Sequence, residues 1–113
     1  MSSRATRADI PGILNAIVGF TGKVVFYAWP EKQAPALPYI VYIFPDEDGF
    51  GADNTNYLPT TAVQVELYSR LKDPASEALI EAALNTNEIF YTKGSTYLDD
   101  QQAWMTVYSF EVI

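Results

Sequence analysis

The stretch Thr60–Asn87, TTAVQVELYSRLKDPASEALIEAALNTN, encodes a strand, a sharp corner and a helix, and the rest of the chain is arranged around it. Apolar and polar side chains alternate over Val63–Tyr68, which is the period of a strand with one buried face. Asp73 and Pro74 then begin a helix, because Asp caps free N–H groups and Pro is tolerated in the first turn. The sequence therefore predicts a strand followed by a helix that packs near the same sheet.

The predicted helix is amphipathic, with a wide apolar arc and a narrow polar stripe opposite it. The small alanine side chains of the arc would let the helix lie close to a sheet. Asn85 to Asn87 are expected to end it, since Asn tolerates the left-handed conformation found at helix C-termini. The polar stripe consists of Glu77, Glu81 and Asn85. The apolar arc consists of Ala75, Ala78, Leu79, Ile80, Ala82, Ala83 and Leu84.

Upstream of this stretch, the sequence predicts a helix over Asp9–Val18, with Gly19 and Gly22 marking its end. Strands are predicted over Lys23–Trp29 and Tyr39–Phe44 from their β-branched and aromatic content. The second strand is apolar on both faces, so something must cover both of them. The helical stripe consists of Ile10, Ile13, Leu14, Ile17 and Val18.

Downstream of the central helix, Ile89–Leu98 resembles a β-hairpin in which Gly94 supplies a positive φ. A turn at Asp99–Gln101 leads to a last strand over Ala103–Ile113. We expect one α+β domain over residues 1–113, loose at 1–7, with a mainly antiparallel or mixed sheet and two helices packed against it. The predicted core contains Ile13, Leu14, Ile17, Val41, Val65, Leu67, Leu79, Ala83 and Phe110.

The composition narrows the possible functions. The chain has 113 residues and is 49% hydrophobic, which suits one folded domain. It contains neither cysteine nor histidine, which excludes disulfides, thiolate metal sites and a Ser-His-Asp triad. Its net charge of −7 would repel the phosphates of nucleic acid, so we do not expect nucleic acid to wrap around it. No apolar run is long enough to span a membrane. We therefore expect no enzymatic activity, metal, cofactor or membrane partner.

A long break over Pro45–Pro59 carries the candidate functional residues. Its acidic residues do not fit the spacing of an EF-hand calcium loop. Long loops are commonly functional, and Phe50 and Tyr57 are aromatic residues of the kind that anchor protein interfaces; the alternative is that both rings pack on the sheet of their own domain. The predicted interface residues are Asp46, Glu47, Asp48, Phe50, Asp53 and Tyr57. Strands that are apolar on both faces likewise indicate an assembly or interaction protein.

The layout resembles the tail-completion, or tail-terminator, proteins of long-tailed bacteriophages. The shared features are an initial short helix, a Pro-rich approach to Leu37–Tyr42 (LPYIVY) and an acidic-asparagine run at Gly51–Asn54. A strand like Val63–Tyr68, a helix rich in acids and alanines, and an aromatic strand like Tyr108–Val112 follow. The resemblance covers about Asp9 to Val112 and consists of strand and helix patterns, not catalytic motifs.

The resemblance implies a virion protein without enzymatic activity, made in the bacterial cytoplasm and located at the head-proximal end of the tail. Such proteins form a six-membered ring that caps the tail tube and joins it to the head connector. Their partners are copies of themselves, the tail-tube protein and the head-connector protein, and DNA passes through the ring without specific binding. The alternatives are another head-tail connector or tail component, or an α+β interaction domain that acts outside a virion.

Overall fold

The computed structural model describes residues 5–45 and 60–113. The helix α1 spans Ile10–Asn15, after a short 3-10 turn at Arg7–Asp9, and α2 spans Pro74–Thr86. The strands are β1 (Val24–Phe26), β2 (Tyr39–Ile43), β3 (Thr61–Ser69), β4 (Tyr91–Leu98) and β5 (Ala103–Val112). The predicted α+β class, a mixed sheet with two helices, is confirmed.

The five strands form one sheet in the order β1-β2-β3-β5-β4. Only β1 and β2 run parallel to each other, and the other three pairs are antiparallel. The longest ladder joins β3 to β5, from Thr61 opposite Val112 to Ser69 opposite Trp104. In this order β1 and β4 are the two edge strands, and β1 is only three residues long.

Both helices pack on one side of the sheet, which we call the helix face. Alternate residues of each strand point towards them, so that Val65 of β3 lies between Tyr42 of β2 and Tyr108 of β5. The hydrophobic core occupies this layer, and its strand residues all belong to the helix face. Its buried members are Ile10, Leu14, Ile17, Phe20, Ile40, Phe44, Val63, Val65, Leu67, Ile80, Leu84, Ile89, Tyr108, Phe110 and Val112.

The ends of α2 follow from local hydrogen bonding. The Asp73 carboxylate accepts from the Ser76 backbone N–H at 3.1 Å and from the Ser76 hydroxyl at 2.8 Å, as predicted for an N-cap. At the other end Asn87 keeps a negative φ, and the left-handed conformation falls on Glu88 at φ 59°. The predicted role of asparagine in this reversal is therefore wrong by one residue.

The helix face of α2 differs from the prediction. Leu79, predicted as core, is 41% exposed, whereas Glu77, predicted on the solvent stripe, is buried at 6% exposure. Ile80 and Leu84 do face the sheet as predicted. The predicted apolar arc is therefore turned partly away from the sheet, and Glu77 points inward instead. This orientation is possible because two lysines from neighbouring segments neutralise the Glu77 carboxylate.

Both N-terminal elements are shorter than predicted. The helix α1 ends at Asn15 instead of Val18, which is 78% exposed and does not join the apolar stripe. Gly19 and Gly22 follow at φ 88° and 80°, a conformation that glycine adopts at little cost. Strand β1 ends at Phe26 because the next residue, Tyr27, has a φ of 74°.

The predicted hairpin within Ile89–Leu98 is wrong. Tyr91–Leu98 is one continuous strand, and each of its eight residues lies opposite a residue of β5. Gly94 has no positive φ and lies opposite Val107 in this ladder. The chain reverses at Asp99–Gln102, where Gln102 takes the left-handed conformation at φ 51°.

Candidate functional site

The interface residues predicted from the sequence cannot be placed in the fold. All six lie in residues 46–59, outside the described part of the chain: Asp46, Glu47, Asp48, Phe50, Asp53 and Tyr57. The described residues nevertheless present two apolar surfaces on opposite sides of the domain.

The first surface is the side of the sheet turned away from the helices, which we call the open face. No described helix packs on it, and most of its side chains are half-buried. Its middle row runs Val25, Val41, Glu66, Val107, with Met105 and Ile43 in the flanking rows. The whole set is Val25, Tyr39, Val41, Ile43, Ala62, Gln64, Glu66, Tyr68, Thr92, Gly94, Thr96, Leu98, Ala103, Met105, Val107, Ser109 and Glu111.

An aromatic row crosses one end of the open face. The rings of Trp29 and Tyr39 are 5.8 Å apart, and those of Tyr39 and Tyr68 are 5.4 Å apart. Tyr68 and Gln64 donate hydrogen bonds to the Glu66 carboxylate at 2.8 and 2.7 Å. Burial and the neighbouring Glu66 carboxylate raise the pKa of Tyr68 well above 10, so its hydroxyl stays protonated. The only carboxylate in the middle row is therefore held by two donors.

The chain from Tyr27 to Ala34 folds back over the Tyr39 end of the open face. Val41 is only 6% exposed, although neither of the helices in the described residues covers that side chain. Within the described residues, the Trp29 indole Nε1–H is the one buried side-chain polar group without a hydrogen-bond partner. A buried donor left unpaired is unfavourable, and an acceptor from a bound partner would satisfy it.

The second surface is a groove of about 760 Å³ between α1 and α2, which we call the helix groove. Small residues open it: Ala8, Gly12 and Ala16 recur every four positions on one wall. Val18 and Leu79 stand at its rim with 78% and 41% of their surface exposed. The remaining lining residues are Asp9, Ile13, Ile17, Ala82, Ala83, Thr86 and Asn87.

A third feature is a charged cluster between α2 and β4, in which the Glu77 side chain is buried and the two lysines are partly exposed. The Glu77 carboxylate pairs with Lys72 and, at 2.8 Å, with Lys93, which also contacts Glu81 at 2.6 Å. Tyr108 donates to Glu81 at 2.9 Å beneath them. The cluster joins the middle of α2 to the edge strand.

The pKa values in this cluster follow from the pairing. Burial by itself raises the pKa of Glu77, but hydrogen bonds from Lys72 and Lys93 outweigh it and leave that pKa below its ordinary value. Hydrogen bonds to Glu77 and Glu81 raise the pKa of Lys93 to about 12. Burial and the bond to Glu81 raise the pKa of Tyr108. Glu77, Lys93 and Tyr108 are thus held in their ordinary charge states near neutral pH, unlike a general acid or base tuned towards pH 7.

Over residues 5–45 and 60–113, no group of three or more acidic side chains lies close enough to hold a metal ion. In the same residues, no helix has the length and hydropathy needed to cross a membrane. Comparison with family models, with curated proteins and with solved structures gives no match to this chain.

Sequence reasoning found the open face only in outline. The predicted strand over Tyr39–Phe44 is apolar on both faces, which indicated that both faces must be buried by other residues or by a partner. The face that the helices leave uncovered is the open face. The helix groove was missed, although the recurrence of Ala8, Gly12 and Ala16 was a readable signal. The buried Glu77 left no signal of its own, because nothing in the sequence places Lys93 against it.

Proposed function

We propose that this protein is a structural subunit of a bacteriophage tail, which caps the tail tube as a ring and joins it to the head connector. The observation that supports this best is the presence of two different apolar surfaces, the helix groove and the open face, on opposite sides of one small domain. A ring subunit contacts two neighbours through two different patches, whereas a simple dimer needs only one.

The chemistry of the two surfaces suits protein contacts. Apolar and aromatic side chains at the centre of a patch, with few charges, are typical of interface cores. The open face offers Tyr39, Tyr68 and Met105, and its central Glu66 is already hydrogen-bonded. The helix groove is lined mainly by small and aliphatic side chains.

The charge balance suits a ring through which DNA moves without being held. The chain carries 14 acidic and 7 basic residues. Lys72 and Lys93 face carboxylates within the domain, and Arg7 lies over the Phe44 ring at 4.5 Å. The outer surface is therefore more acidic than basic, and an acidic lumen does not retain phosphates.

The proposal is tested by adding the purified protein to tail-tube protein encoded by a neighbouring gene. We expect electron microscopy to show a ring at one end of each tube, and tube growth to stop at that end. Genes for capsid and tail-tube proteins beside this gene are a further expectation. A protein that neither binds tube ends nor alters tube length would overturn the tail function and leave an interaction domain outside a virion as the alternative.

Matched substitutions test the role of the helix groove. Val18→Asp with Leu79→Asp places two charges at its rim, and both positions are exposed enough to keep the fold. Leu71→Asp is the control, because Leu71 is 74% exposed and does not line the groove. We expect the first variant to lose ring formation and the control to keep it. Normal rings from both variants would exclude the groove as a subunit contact.

A further inference from the structure

We propose that β4 is a self-pairing edge, through which two copies of the chain associate by antiparallel strand pairing about a two-fold axis at Gly94. This inference does not depend on the tail function. It rests on the exposed edge, on the sequence of the strand and on the register that this sequence allows.

The outer edge of β4 has no strand partner among the described residues, because β4 is last in the sheet order. Natural sheets protect such edges with short strands, bulges, prolines or exposed lysines. The opposite edge strand, β1, is protected by its length of three residues. In contrast β4 is eight residues long, contains no proline, and pairs with β5 without interruption.

The single charge on β4 does not protect the edge either. The Lys93 ammonium turns onto α2, where it contacts Glu77 at 2.8 Å and Glu81 at 2.6 Å. Directly before the strand, Phe90 is 94% exposed. An unprotected edge flanked by an exposed aromatic ring is a site at which another strand is expected to add.

The sequence of the strand identifies that other strand as a second β4. Tyr91–Tyr97 reads YTKGSTY, which is symmetric about Gly94 apart from the Lys93 and Ser95 positions. Antiparallel pairing of two copies about Gly94 places Tyr91 opposite Tyr97 and Thr92 opposite Thr96. Aromatic and Thr–Thr cross-strand pairs are both favourable.

The same register covers the exposed ring and avoids a charge conflict. Phe90 comes to lie opposite Leu98 of the second copy, and Lys93 opposite Ser95. If one strand were shifted by two residues in one direction, the two Lys93 residues would lie opposite each other. A shift by two residues in the other direction would place Tyr91 opposite Asp99. Like charges directly opposite are destabilising, so pairing centred on Gly94 is preferred.

Gly94 itself fits the centre of the contact. A Cβ built at this position meets no atom within 4 Å, so the surface around the axis is free. In this symmetric register the helices of both copies lie on the same side of the joined sheet. On the other side, the two open faces form one continuous ten-stranded surface. A two-fold contact closes on itself, so it makes a dimer of the free protein and not the head-to-tail contact of a ring.

Cysteine substitution tests the register, because the chain has no cysteine of its own. Two Gly94→Cys residues at the axis would be about 4.5–5.5 Å apart between Cα atoms, within disulfide reach. Two Thr96→Cys residues would be about 13 Å apart and out of reach. We expect mild oxidation to cross-link the purified first variant and not the second. Equal cross-linking of both, or of neither, overturns the register.

Charge substitutions test the association itself by sedimentation. Thr92 and Thr96 are exposed, so lysines at both positions keep the fold while opposing like charges across the axis. We expect Thr92→Lys with Thr96→Lys to weaken dimerisation at least about tenfold. Thr92→Asp with Thr96→Lys pairs opposite charges and should retain or tighten it. A wild-type chain that is monomeric at about 100 μM, where even weak complexes form, or a dimer indifferent to both variants, refutes the proposal.

Discussion

Replacing Lys93 by methionine removes one of the two ammonium groups that neutralise the buried Glu77 carboxylate, and it keeps most of the aliphatic side chain. The Glu77 side chain is 7% exposed and that of Lys93 is 37% exposed. Removing one partner of a fully buried ion pair costs about 3–5 kcal/mol, because the remaining charge is left uncompensated. Lys72 stays beside Glu77, and solvent already screens Lys93 in part, so we expect a loss of about 2–3 kcal/mol.

The reverse substitution, Glu77→Gln, should cost less. Both lysines are more than a third exposed and can turn to water, whereas a Glu77 carboxylate without Lys93 cannot. The glutamine still accepts a hydrogen bond, so we expect a loss of about 1 kcal/mol. The double variant should be more stable than Lys93→Met alone, since it contains no uncompensated buried charge.

Urea unfolding followed by circular dichroism, at one fixed protein concentration, measures all three variants. A loss of 2–3 kcal/mol in Lys93→Met corresponds to a melting temperature lower by about 8–15 °C in a chain of this size. Lys32→Met is the matched control, because Lys32 is exposed and forms no ion pair with the described residues. If Lys93→Met is as stable as this control, or if the double variant is the least stable, the cluster does not hold α2 to the sheet.

Three other predictions follow from the structure. The pKa of Glu77 is lower in the folded chain than its ordinary value, so the ionised carboxylate stabilises the fold above about pH 4.5. This stabilisation is lost as pH falls through the lowered pKa. The free energy of unfolding should therefore fall less steeply with decreasing pH in Glu77→Gln than in the wild type. Ile80→Asp should unfold the domain because Ile80 is fully buried, whereas Leu79→Asp should cost less than about 1 kcal/mol, and melting curves compare the two. Melting curves with calcium, magnesium or chelator should coincide, and a large stabilisation by calcium would contradict the expectation that this chain binds no metal ion.

The sequence predicted those parts of the fold that depend on local signals. The alternation over Val63–Tyr68 and the Asp73 cap identified β3 and the start of α2, because strand period and capping depend on neighbouring residues alone. The fold class followed from the order of these elements. The core residues Leu14, Ile17, Val65 and Leu67 followed from the same periodicities.

The errors occur where distant residues decide the structure. The local sequence around Gly94 predicts a turn, yet pairing with β5 keeps this residue extended. The hydrogen bonds of the complete ladder outweigh the weak strand propensity of one glycine. The sequence pattern places Glu77 on the solvent side of the helix, but its carboxylate is buried and paired with Lys72 and with Lys93, which is 16 positions away on another element. The helix groove depends on how α1 lies against α2, which hydrophobic periodicity does not determine.

The charge distribution connects the proposed contacts. A chain with a net charge of −7 repels its own copies, so association must use surfaces on which that repulsion is weak. The surfaces proposed here meet this condition: β4 carries one lysine that is already paired, the helix groove is lined chiefly by small and aliphatic residues, and the open face has hydrogen-bonded Glu66 at its centre. Added salt screens repulsion between whole subunits and leaves strand pairing and apolar burial in place. Association through these surfaces is therefore expected to strengthen as salt rises, whereas an interface built on ion pairs between subunits would weaken.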